Sequence, residues 1–165
     1  MEQNNFDIKK VKVHRTTEAT IFEAVFVLIA FIVWGLIIWM VHRAPDIVPT
    51  HFDASGKPNA YGSPVGVTIP CALLTIGAIV CMVCAYFPRH INMPFKISNI
   101  RQVEIAIRQL RIMGITLLLV PLAVAYMMLG MSSPSAIPIL AVIALIFLEI
   151  ILFTILIYRA KEETI

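Results

Sequence analysis

Long apolar runs alternate with short polar segments along the chain, and that alternation predicts its architecture. The runs cover about 21–41, 65–87, 112–129 and 136–158. At about 1.5 Å of rise per residue, roughly 20 apolar residues cross the hydrocarbon core of a bilayer. The pattern predicts an all-α integral membrane protein, a single membrane domain of four transmembrane helices over residues 1–165. An outward loop at 42–64 and a cytoplasmic loop at 88–111 connect the first three spans.

Boundary signals refine each run. Thr20 and Glu23 have the spacing of a capping box, which predicts a helix start there. The far side of the first run reads Met40-Val41-His42-Arg43-Ala44, with no small-x-small cleavage site, so a retained span is expected rather than a signal peptide. Ser63-Pro64 supplies an N-cap and a first-turn proline for the second span, and Pro88 closes it. In the second polar segment Asn99-x-x-Gln102 can cap a helix. Ile100, Val103, Ile107, Leu110 and Gly114 then recur at spacings of three and four, with Arg101, Gln102, Glu104, Arg108, Gln109 and Arg111 between them. This is a basic amphipathic helix. Two placements fit it: lying on the membrane surface, or continuing out of the third span with its polar face in water. Pro121 predicts a kink in the third span, Gly130 a helix stop, and Met131–Ser135 a tight link to the fourth.

Composition strengthens this picture. Hydrophobic residues make up 59% of the chain and charged ones 14%, against about a quarter in soluble domains. The mean hydropathy is +0.89. The net charge of +3 comes from basic residues flanking apolar runs, which suits an anionic lipid leaflet and gives no nucleic-acid face. Cys71, Cys81 and Cys84 all lie in the second run and read as small packing residues rather than a disulfide framework. Of the 13 Lys and Arg residues, only Arg43 and Lys57 fall in the first and third connections. The positive-inside rule therefore puts both termini in the cytoplasm and the 42–64 loop outside.

That loop carries most of the candidate chemistry, with His42, Asp46, His51, Asp53 and Asn59 as ligands or acid–base groups. His51 and Asp53 share one side of an extended segment and can hold a divalent cation or form a hydrogen-bonded pair. Asp53-Ala54-Ser55-Gly56 and Lys57-Pro58-Asn59-Ala60 also read as two successive β-turns. Three uses stand open: turns that pack on the outer surface, recognition of a ligand through His51, Phe52, Asp53, Asn59 and Tyr61, and metal or catalytic chemistry at His51 and Asp53. Glu149, near the middle of the fourth run, is a second candidate, because intramembrane carboxyls are costly and mark functional sites. It can fasten helices, with Tyr126 or Thr75 as partner, or serve a proton, ion or substrate. Gly-x-Ser-x-Gly, His-Glu-x-x-His, Walker A and Gly-x-Gly-x-x-Gly sequences are all absent, so no catalytic residue and no cofactor are expected.

The segment Pro49-x-His51-Phe52-Asp53-x-x-Gly56-x-Pro58-Asn59-x-Tyr61-Gly62-Ser63 resembles the signature of a bacterial membrane family, domain of unknown function 1648. The resemblance runs from about Ala44 to Phe87, with Tyr61 where the family more often has Trp. The same segment occurs in SdpI-like immunity proteins, which protect a cell from its own secreted toxin peptide. The resemblance implies a non-enzymatic protein of the bacterial cytoplasmic membrane whose outward loop recognises a toxin-like peptide or serves an envelope-stress response. The partners expected are the bilayer, an extracellular peptide or another membrane protein, and a further copy of the chain. The alternatives are a small transporter or channel component using Glu149, and a membrane enzyme or metal site using His51 and Asp53.

Overall fold

The computed structural model describes residues 6–53, 55–90, 96–129 and 136–162. Four helical stretches are long and apolar enough to cross a membrane: Thr17–Arg43, Pro64–Cys84, Ile100–Met128 and Ile137–Lys161. The chain is a multi-pass membrane protein by that measure.

Helix α1 spans Thr17–Arg43. Its cap is Thr16, whose hydroxyl accepts from the Ala19 N–H at 3.1 Å, one turn earlier than the Thr20–Glu23 box predicts. Thr20 instead donates its hydroxyl to the Thr16 carbonyl. The Glu23 carboxylate leaves the helix axis for Arg15 and Tyr86.

The all-α expectation needs one correction. After α1 the chain forms an antiparallel hairpin, β1 over Val48–Phe52 and β2 over Pro58–Gly62. Lys57-Pro58-Asn59-Ala60 is therefore no turn, since Pro58 begins β2 opposite Phe52. A 3-10 turn over Pro64–Val67 follows, with Pro64 in its first turn, and leads into α2, Thr68–Cys84. Ser63 sits at the cap position without a side-chain hydrogen bond to the turn.

Helices α3 (Ile100–Leu117) and α4 (Leu119–Met128) form one rod, interrupted at Leu118. The break has a local cause: Pro121 has no N–H to donate to the Leu117 carbonyl four residues earlier. The third apolar run is thus the second part of a longer helix that starts at Ile100. Asn99 caps it, accepting from the Gln102 N–H at 2.9 Å, while the Gln102 side chain accepts from the Ser98 N–H at 2.7 Å.

Of the two placements for the amphipathic helix, continuation from the third span is the one found, with Arg101, Glu104 and Arg108 exposed. It continues from the span, but Ile97, Val103 and Ile107 pack under Phe6, Ile8, Val11 and Val13 of the N-terminal tail. Its polar positions are partly enclosed as well: Gln102 is 0% exposed and donates to the Ile157 carbonyl of α5 at 2.9 Å.

Helix α5 covers Ile137–Glu162 and packs mainly on α3. The α3–α4 rod is the hub, touching α1, α2 and α5. Gly114 lets α2 approach closely, at Ala78 and Met82. The expected Gly130 stop and the Met131–Ser135 link lie outside the described residues.

Candidate functional site

The hairpin stands on one end of the bundle because its inner side is apolar. Val48 is buried in a cluster with Val33, Ile37 and Met40 of α1, Val67, Cys71 of α2, and Met128 and Leu129 at the end of α4, and Phe52 packs against that cluster. The register pairs Val48 with Gly62, Pro49 with Tyr61, His51 with Ala60 and Phe52 with Pro58, with shifts at Thr50 on β1 and at Asn59 on β2. His51, Asn59, Ala60 and Tyr61 are left exposed.

Asp53 closes the hairpin tip. Its carbonyl accepts from the Gly56 N–H at 2.9 Å, which is the β-turn read from the sequence. Its carboxylate oxygen Oδ1 accepts from the Ser55 N–H (2.8 Å), the Ser55 hydroxyl (2.7 Å) and the Lys57 N–H (2.9 Å). Those donors hold its pKa below the ordinary carboxylate value, the Ser55 hydroxyl contributing most. Gly56 turns the chain with φ +78, where side chains are strained. Asp53 is thus engaged in the turn.

His51 takes a different partner from the one expected. Its Nδ1 meets Asn59 Oδ1 across the hairpin at 2.5 Å. An amide oxygen only accepts, so this bond puts a proton on Nδ1 and, in the neutral ring, leaves Nε2 as a bare acceptor. No group of three or more His, Cys, Asp or Glu side chains suited to a metal ion occurs among the described residues. Tyr61 is 62% exposed.

Residues 28–75 match the family described as Domain of unknown function (DUF1648). The chain carries a DUF1648 domain. It takes in most of α1, the whole hairpin, the 3-10 turn and the first half of α2, so the hairpin and the two helices that hold it form one family segment. No curated protein and no solved structure matches the chain significantly. The rod and α5, with every polar group they bury, lie beyond the DUF1648 segment.

Glu149 is in that second group. It is 7% exposed on a helix whose other faces are largely open, and among the described residues its Oε1 has no hydrogen-bond partner. The partners read from the sequence do not fit. The Thr75 hydroxyl accepts from Trp34 Nε1 at 3.3 Å and donates to the Cys71 carbonyl at 2.8 Å. Tyr126 lines an apolar pocket with Trp39 and Leu36. Thr116 of α3 faces the carboxyl instead, with Cys81 of α2 nearby. Thr116 was readable in principle: it stands as far before Met128 as Glu149 stands after Ile137, and antiparallel helices match equal counts. His42 and Asp46 are exposed beside the hairpin.

Sequence reasoning missed Arg111. It is 4% exposed, with its guanidinium carbon 5.7 Å from the Tyr86 ring centre and 6.0 Å from that of Phe22. Its place in an amphipathic pattern marked it as outward-facing. The aromatic residues at the entries to α1 and exit of α2 were the available signal.

Proposed function

We propose that the chain is a non-enzymatic protein of the bacterial cytoplasmic membrane whose hairpin recognises a toxin-like peptide on the outer surface. The observation that carries this reading is the hairpin's division into an apolar face seated on the bundle and an exposed face of His51, Asn59 and Tyr61. A surface whose turn and cross-strand bonds are already made loses little conformational freedom on binding. Each strand also contains a proline, Pro49 and Pro58, which removes a ladder donor and disfavours addition of a further strand. Recognition through side chains on the open face is the mode that remains. The Lys and Arg asymmetry supports an N-in, C-in orientation, with the hairpin outside.

The test compares cells with no copy of the gene, the wild-type gene, or the His51→Ala/Tyr61→Ala double variant, each challenged with secreted antimicrobial peptides. Wild-type protein is expected to raise the inhibitory concentration of at least one peptide, and the double variant to lose that protection at equal membrane abundance. Identical sensitivity in all three strains refutes the proposal.

A second reading, a small transporter or channel component, draws support from the buried, unpartnered Oε1 of Glu149. In reconstituted vesicles Glu149→Gln is expected to abolish proton-coupled flux. A wild-type protein that carries no flux, or a variant that carries as much, eliminates that reading.

A further inference from the structure

At the end of the bundle opposite the hairpin, the N-terminal tail, α1 and α3 line a half-open cavity of about 290 Å³. Lys12 and His14 line it from the tail, Glu18 from α1, and Glu104, Arg108 and Arg111 from α3. We propose that this cavity binds the phosphate of an anionic lipid headgroup, with Arg111 as the buried cation of the site.

The argument starts from Arg111. A guanidinium carries five N–H donors and a charge that proteins do not remove. Arg111 is more than nine-tenths buried, yet among the described residues it makes no hydrogen bond and no ion pair within 4 Å. Its contacts are the faces of Phe22 and Tyr86. Those rings fix the plane of the group and favour its charge, but they cannot satisfy five donors. Glu18 and Glu23 act on it only through space, so its donors open onto the cavity unsatisfied, and a guanidinium so placed is a natural seat for an anion.

The neighbouring carboxylates are already engaged. Glu18 binds Arg108 with two bonds, 2.7 Å from Nε and 3.2 Å from Nη2. Glu23 takes Arg15 and the Tyr86 hydroxyl. Glu104 acts on Arg108 through space. Three cations lining the cavity (Lys12, Arg108 and Arg111) thus face two carboxylates (Glu18 and Glu104), which leaves one positive charge. A single anion completes the cluster.

Location selects its source. The cavity lies where α1 begins its apolar run, and Arg111 is the last cation of α3 before an uncharged stretch. That is headgroup depth. Planar guanidinium pairs well with phosphate oxygens, and basic pockets between membrane helices are known hosts for lipid headgroups. Lys12, exposed on the N-terminal tail, lines the same cavity.

The test uses the full chain purified in a neutral detergent. Phosphatidylglycerol or phosphatidylcholine is added in equal amounts, and retained lipid is counted by native mass spectrometry. Wild-type protein is expected to keep one phosphatidylglycerol with a preference of about tenfold or more over phosphatidylcholine, the weight of a charge-assisted hydrogen bond. Arg111→Gln is expected to erase the preference. Lys12→Ala, a change on the tail that leaves the helices untouched, should weaken it several-fold and keeps the idea testable if Arg111→Gln fails to fold. Lys10→Ala, outside the cavity, should change nothing. Equal retention of the two lipids by wild-type protein overturns the proposal. So does an Arg111→Gln protein that keeps the preference, or binding of inorganic phosphate without binding of the lipid.

Discussion

Replacing Gly114 by alanine tests whether α2 and the rod meet as closely as described. A Cβ built at Gly114 lies 2.9 Å from Met82 Cγ, 3.0 Å from Met82 Sδ and 3.1 Å from the Ala78 carbonyl oxygen. The Met82 side chain can rotate away, at the loss of its contacts with the Phe26–Leu118 cluster. The Ala78 oxygen belongs to a helix backbone and cannot. Two effects oppose each other. Helix propensity favours Ala over Gly by about 1 kcal/mol, whereas overpacking a filled interface costs about 1–3 kcal/mol. Because one clash is with backbone, the second should win, for a net loss of about 1–2 kcal/mol. In a chain of this size that lowers the melting midpoint by about 2–8 °C. Gly77→Ala is the matched control, since its Cβ would meet nothing within 4 Å. Thermal unfolding in one detergent, followed by thiol accessibility at the buried Cys71, reads both variants. Gly114→Ala combined with Met82→Ala should cost less than the two single changes together. If Gly114→Ala melts at or above wild type, as Gly77→Ala should, the close approach is wrong.

The hairpin tip offers two further predictions. Asp53 has a folded pKa below its ordinary 3.8, so its contribution to the turn is complete above about 3.8 and is lost as pH falls through the folded value. The Ser55 and Lys57 amide resonances should therefore hold their positions down to that pH and move only below it, and movement at higher pH would contradict the capped turn. Gly56→Ala forces a Cβ into the left-handed region at about 1–2 kcal/mol, so hydrogen exchange at the Lys57 amide should quicken roughly tenfold, and less in Gly56→Asn. An unchanged rate would mean that the tip is not held as described.

What the sequence revealed depended on whether one dominant physical term set the outcome. Spans were legible because lipid tolerates only self-satisfied backbone, so length and apolarity suffice. The Asp53–Gly56 turn was legible because carboxylate capping and a left-handed glycine are local. The strands were not: Pro49 and Pro58 read as breakers, and neither strand alternates cleanly. The pairing rests instead on Val48 and Phe52 finding the end of the bundle, a tertiary effect. The true α1 cap was missed for a smaller reason, because Thr16 and Thr20 both fit the local rule and the pull of Arg15 and Tyr86 on Glu23 decided between them. Arg111 was hidden most deeply. Its burial depends on Phe22 of α1 and Tyr86 beyond α2 meeting over α3, which no spacing within α3 encodes.

The polar groups of this protein divide by whether folding has already satisfied them, and the division governs how mutations should be interpreted. On the hairpin Asp53 Oδ1 has three donors from the turn itself, so its removal damages the turn before it removes any chemistry. A lost phenotype in Asp53→Ala is therefore no sign of a reactive carboxylate. The groups free to meet a ligand there are His51 Nε2 and the exposed Tyr61 ring, which is why the pair His51→Ala/Tyr61→Ala is the sharper probe. Inside the bundle the balance reverses. Glu149 Oε1 is enclosed without a hydrogen-bond partner among the described residues, at a cost to the fold that a purely structural role does not repay. Glu149→Leu should then leave the protein as stable as wild type, or more so, if the carboxyl serves only function. If it fastens α5 to Thr116, the same change should lower the melting midpoint.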